Sequence, residues 1–205
     1  MSFTDYPGLT ANVASWLARD DLTAFIPDMI TLFEAAACRR LKVRPMETTI
    51  SLTPSNGTAT LPPDFLGWRR VTWTGSPNRE LDYVAPPIYA VEYVPDDAGV
   101  IIGLPIIFTI EGGNLLVKPV DDTALTFTYY QRTAAVSGAL NWLYSNHPDA
   151  YLFGTLAEAN FMNKGTALTQ AAMWKQRRDE VFDEITHVDF NERQGMSMRV
   201  MGVTP

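Results

Sequence analysis

The side chains that could do chemistry are few, and their spacing decides what they could do. His147 and His187 are the only histidines, and histidine is the residue whose ordinary charge changes near neutral pH. His147 precedes Pro148 at an expected helix start. His187 falls near an expected helix C-terminus, where a cation is favoured, so both read as structural. His187 with Asp183 and Glu184 offers one imidazole and two carboxylates, a weak metal set but also a common solvated pattern on an acidic helix. Asp96-Asp97 and Asp121-Asp122 read as turns, because calcium needs more oxygen ligands at close spacing. Asn163-Lys164-Gly165-Thr166 ends like a phosphate loop, yet the upstream glycines are missing and a turn between helices is expected. No Gly-x-Gly-x-x-Gly, His-Glu-x-x-His or Cys-x-x-Cys occurs. The reading is a non-enzyme with no catalytic residue, metal or cofactor. The alternative from another class is a small metal-dependent hydrolase built on His147, His187 and the nearby carboxylates.

Residues suited to contact are better represented. Arg69-Arg70 between Trp68 and Trp73 suggests base stacking beside phosphate contacts. Strand alternation, however, puts the two tryptophans on opposite faces, which favours packing. Arg39, Arg40, Lys42 and Arg44 crowd one helix end. They are read either as complements to the helix carbonyls and salt-bridge partners, or as a docking patch. The last fifteen residues, Asn191–Pro205, have no helical period and contain two glycines. Met196, Met198 and Val200 alternate there with Ser197, Arg199 and Met201, a pattern that can add a strand to another chain or lay methionines into a groove. With Arg193 and Gly195, these residues form an extended C-terminal arm that is not expected to fold alone.

The elements that hold these residues follow from periodicity. Ile26, Met29, Ile30, Phe33, Ala37 and Leu41 recur at three- and four-residue steps and predict a helical spine over 21–42. Pro27 suits its first turn, and Asp28 and Glu34 lie toward its positive end. Ala35-Ala36-Ala37 would let a second helix approach closely. A short helix over 9–18 precedes the spine, and Asp20-Asp21 reads as a break and N-cap. From Thr48 the period becomes two. Thr48–Thr53 is expected to pair with Thr58–Leu61 across the turn at Pro54–Gly57, and Trp68–Trp73 forms another strand. Leu81–Val84 reads as a short strand and 86–93 as a helical piece. Ile106–Ile110 and Leu115–Pro119 form a hairpin about Gly112-Gly113, and Ala124–Gln131 completes a meander. Two helices follow, 147–163 and 166–190. The fold class is α+β: N- and C-terminal helices (about 8–42 and 147–190) packed as a bundle around an antiparallel β-rich insert (about 46–132). Residues 1–190 form one domain and 191–205 the arm.

Composition agrees with a contact protein. The 205 residues are 46% hydrophobic with a net charge of −7, an ordinary globular fraction and too acidic a balance for a chain that grips phosphate backbone. The single Cys38 cannot make an internal disulfide and reads as a small buried hydrophobe. Met1–Tyr6 lacks the features of a secretory signal, and no apolar run reaches the length of a membrane span. A soluble protein is expected.

From Asp5 to Arg79 the chain resembles the head-to-tail adaptor, or connector, proteins of short-tailed tailed bacteriophages. The resemblance lies in Asp5-Tyr-Pro-Gly-Leu9, Val13-x-x-Trp-Leu17, Ile26-Pro-Asp-Met-Ile-x-Leu-x-Glu34, Arg39-Arg-Leu41 with Arg44-x-Met46-Glu47, and Leu61-Pro-x-Asp-Phe-Leu66. The remainder is similar in layout. The resemblance implies a structural virion protein, made in the host cytoplasm and placed at the portal vertex. There a homo-oligomeric ring, often twelve-fold, joins the portal protein to a tail or nozzle protein. DNA leaves through its channel without sequence-specific binding, and no membrane is involved. Carried onto this chain, it makes the arm the portal-binding element, the flanking helices the ring wall and the β insert the tail side. Another connector-layer part, a head-completion or tail-terminator protein, is the nearest alternative.

Overall fold

The computed structural model describes residues 3–92, 102–159 and 168–194. The chain forms two compact units: residues 1–45 with 133–205, and residues 46–132. Helices and antiparallel-rich sheets together make it an α+β protein.

In the first unit, α1 (Tyr6–Leu17) begins earlier than the apolar period alone suggests, because Asp5 Oδ1 accepts from the Gly8 N–H at 2.8 Å and Pro7 fills the first turn. Ala18, at φ 50°, ends it. Asp20–Phe25 is a 3-10 turn in which Asp21 pairs with Arg19 at 2.6 Å, so Asp20-Asp21 does not cap the spine as expected. The spine, α2 (Ile26–Arg40), starts at Ile26 with no side-chain cap. Its expected stripe is buried: Ile26, Met29, Ile30, Phe33, Ala37 and, just beyond, Leu41.

Among the described residues this unit has three further helices, α4 (Trp142–Asn146), α5 (Pro148–Ala159) and α6 (Leu168–Gln194), while α3 (Pro86–Val91) lies in the second unit. Asn141 caps α4 through the Tyr144 N–H at 2.9 Å. α5 packs against α1, α2, α4 and α6. Its Gly154 lies against the Phe33 ring of α2, a close approach that the sequence reading did not single out. α6 buries Ala171, Trp174, Phe182 and Ile185. Arg178 occupies the intervening helical step, with its guanidinium 3.5 Å from Glu158.

The helix continues to Gln194. Residues 191–194 of the expected arm are therefore helical, including Arg193. The missing apolar period is replaced there by polar ties: Arg193 Nε donates to Asp189 at 2.5 Å, and Asn191 meets His187 at 3.2 Å.

The second unit is two four-stranded sheets sharing one apolar core. The strands are β1 (Glu47–Leu52), β2 (Thr58–Thr60), β3 (Phe65–Trp73), β4 (Arg79–Glu80), β5 (Asp82–Tyr83), β6 (Ile107–Glu111), β7 (Asn114–Lys118) and β8 (Leu125–Gln131), with the short helix α3 (Pro86–Val91) after β5. Their orders are β1-β8-β3-β4 and β2-β7-β6-β5. Val71, Trp73, Leu125, Phe127 and Tyr129 from one sheet meet Phe108, Leu115 and Val117 from the other. The β6–β7 hairpin forms as expected, with Gly112 and Gly113 at φ 58° and 79°, the left-handed pair that a two-residue hairpin turn requires.

Three expectations in this unit fail, and pairing partners explain them all. β2 pairs with β7, and β1 pairs with β8, so Thr48–Thr53 and Thr58–Leu61 do not form a hairpin. β8 leaves the β6–β7 sheet to pair between β1 and β3, so there is no meander. Local turn chemistry sees only the neighbouring strand, whereas burying Leu125, Phe127 and Tyr129 required the other sheet. Lastly, β3 has a register shift between Trp68 and Arg70, so Trp68 opposes Tyr129 and Trp73 opposes Leu125. These two partners lie on one face of β8, so the bulge brings both tryptophans to the core side.

Candidate functional site

The basic cluster at the end of α2 resolves into two kinds of cation. Arg40 is an internal tie: its guanidinium bonds to Asp179 and, at 2.8 Å, to Asp183. It also lies 5.4 Å from the centroid of the Phe182 ring. Arg44 pairs with Glu192 at 3.2 Å, and its backbone N–H donates to Asp189 at 2.7 Å. The acidic face of α6 thus complements the basic end of α2. Arg39 and Lys42 are exposed, and the described residues supply neither with a partner.

Asp189 is a junction. It is 9% exposed, and its two oxygens take Arg44 N–H and Arg193 Nε, fixing the chain after α2 to the last turns of α6. Of the expected arm residues, Arg193 is therefore engaged within this unit. Gly195, Met196, Met198, Arg199, Val200 and Met201 lie outside the described residues, as do Asp96, Asp97 and the Asn163–Thr166 turn.

Beside this junction is a cleft of about 170 Å³. Val43 and Pro45 form one side, Trp142 and His147 another, and Ile185 and Val188 of α6 the floor. Glu184 and Glu192 supply acid at its rim. Val188 is 52% exposed.

The histidines do not converge on chemistry. His147 meets the Trp142 ring edge-on at 6.4 Å, while His187 Nδ1 faces Asn191. Among the described residues no group of three or more His, Cys, Asp or Glu side chains can hold a metal ion. Nor is any helix among them long and apolar enough to cross a membrane.

In the second unit, Trp68 stacks on Tyr83 at 5.1 Å and meets Phe108 edge-on at 5.2 Å. Arg69 pairs with Glu47 at 3.5 Å. Trp73 is thus in the core, Trp68 packs on Tyr83 and Phe108 while staying 39% exposed, Arg69 pairs with a carboxylate, and Arg70 is exposed.

A partly buried network has no counterpart in the sequence reading. Glu34 Oε1 accepts from the Val136 N–H at 2.7 Å and from the Tyr151 hydroxyl at 3.0 Å. Asn141 Nδ2 donates to that same hydroxyl at 2.6 Å and to the Ala134 carbonyl at 2.7 Å. Burial, and then the adjacent Glu34 charge, push the Tyr151 hydroxyl well above its ordinary pKa. The network ties α2, the 133–141 segment and α5 together. The only sequence signal for it was a carboxylate on the inward side of an apolar helix.

The first unit is thus a helical unit stitched by ion pairs, with a cleft and the exposed Arg39 and Lys42 on it. The SU10 adaptor protein family matches residues 4–202, and the chain belongs to this family of phage head-to-tail adaptors. Comparison with curated proteins finds no match.

Proposed function

We propose that the protein forms the homo-oligomeric ring that joins the capsid portal to the tail and surrounds the DNA exit channel. The observation that carries this reading is the family match, which spans the chain from residue 4 to residue 202 and so includes the C-terminal segment as well as both units. In this reading the terminal helices and the β insert work as one adaptor domain. The segment after Gln194, with Met196, Met198, Arg199, Val200 and Met201, engages portal, and Arg193 and Gly195 set its departure from α6. Arg39 and Lys42 are the members of the basic cluster left for a partner, since Arg40 and Arg44 serve α6. The β insert then meets a tail or nozzle protein.

The proposed work is contact alone. Ordering a short arm costs conformational entropy, offset when many identical copies engage a symmetric partner together. An acidic chain, with net charge −7, suits a passage that must not hold phosphate. The test is deletion of Gly195–Pro205, which spares α6. The shortened protein should fold as before and fail to bind purified portal rings. Undiminished binding would refute the arm's role.

A further inference from the structure

The outward face of α2 carries a pattern that an ordinary solvated face does not need. Asp28, Leu32, Ala35 and Arg39 follow at steps of four, three and four, the spacing that keeps one narrow seam along a helix. Leu32 is 50% exposed and Ala35 partly exposed, while Asp28 and Arg39 at the two ends are exposed. Among the described residues neither of these charges has an ion-pair partner. The first unit covers the other side of the helix, where Met29, Ile30, Phe33 and Ala37 are buried. Just beyond the ends of the seam lie Phe25, 45% exposed, and exposed Lys42.

The seam is complementary to itself. Turned end for end about a point midway between Phe33 and Glu34, position 28 meets 39 and position 32 meets 35. The acid of one copy then faces the base of the other at both ends, and Leu32 enters the space above the small Ala35, a knob into a hole. The same turn brings Phe25 toward Lys42, whose ammonium is attracted to an aromatic face. One antiparallel register serves all three pairs. A parallel alignment would set Asp28 on Asp28 and Arg39 on Arg39, so charge alone selects the antiparallel one.

We propose that two copies of the free protein pair across a two-fold axis through the outward faces of α2, with Asp28 on Arg39 and Leu32 on Ala35. The occupant is a second copy because the same chain carries both halves of the match. A self-complementary patch closes at two copies, so this contact is not one that builds a ring. From residue 28 to residue 39 the seam runs about 16 Å, at 1.5 Å per residue, a short contact of the small, transient class. The dimer therefore forms at high protein concentration and separates on dilution. Arg39 and Lys42, the cations that α6 leaves over, are covered in the pair and free in the monomer. The pairing needs no portal.

Sedimentation equilibrium of the full chain without portal, from about 5 to about 500 μM, reads the pairing directly. The wild-type mass should rise across this range from 22.8 kDa toward twice that value and no further. Asp28→Arg or Arg39→Asp alone puts like charges at both crossings, so each variant should dissociate about tenfold more readily. An equimolar mixture of the two variants restores opposite charges at both crossings and should pair as well as wild type. Both sites are exposed, and unchanged far-UV circular dichroism verifies the fold of each variant. A monomer over the whole range, single variants that pair like wild type, a mixture that stays apart, or growth beyond two copies would overturn the proposal. None of these results bears on portal binding, which the Gly195–Pro205 deletion tests separately.

Discussion

Replacing Gly154 with alanine tests the packing of α5 on α2. A Cβ at this position would lie closer than 3.0 Å to three atoms of the Phe33 ring. That ring is fully buried, 4.9 Å from the Tyr151 ring and 6.0 Å from the Phe182 ring between centroids, so it has nowhere to swing. Overpacking of a filled core costs about 1–3 kcal/mol, and the rigid neighbours put this case near the upper end. Alanine returns about 0.5–1 kcal/mol of helix propensity. The net expectation is a loss of about 2 kcal/mol, or about 4–8 °C in Tm for a chain of this size. Thermal unfolding followed by circular dichroism measures it. Adding Phe33→Leu should make room, so the double variant should be more stable than the sum of the single effects by about 1 kcal/mol or more. An unchanged or raised Tm for Gly154→Ala, or simple additivity in the double variant, would refute the geometry.

Three further outcomes follow from the same structure. Glu34→Ala leaves the Val136 N–H and the Tyr151 hydroxyl without their shared acceptor, and should cost about 2–4 kcal/mol in urea unfolding, with Glu34→Gln costing less. Arg40→Met should cost about 1 kcal/mol at low salt, and the difference should shrink in about 1 M salt as its ties to Asp179 and Asp183 are screened. Burial raises the Tyr89 hydroxyl from 10.0 to about 12. Its contribution is therefore complete below pH 10 and lost as pH rises toward about 12, and Tyr89→Phe should flatten that stretch of the alkaline stability profile.

The parts of the fold legible in the sequence were those governed by near neighbours. The stripe from Ile26 to Leu41 gives the buried face of α2 because helical periodicity depends only on that helix. The β6–β7 hairpin was equally plain, since Gly112-Gly113 serves a turn with both strands adjacent. What the sequence hid was long-range. β1 waits for β8 across the whole insert, and the bulge near Arg69 reverses the expected faces of Trp68 and Trp73. Pairwise charge could be read only as composition: four cations at the end of α2 looked alike, and the fold divides them, giving Arg40 and Arg44 to α6. Glu34 reads from the sequence as a helix-dipole complement, and only the arrival of Val136 and Tyr151 makes it a shared, partly buried acceptor.

The central claim is that this adaptor assembles on portal. The most direct measurement is the mass of the purified full-length protein, first alone and then mixed with the cognate portal ring. The protein should run as a small species alone and as a stoichiometric ring bound to portal on mixing. A protein whose mass is unchanged by the portal ring would contradict it.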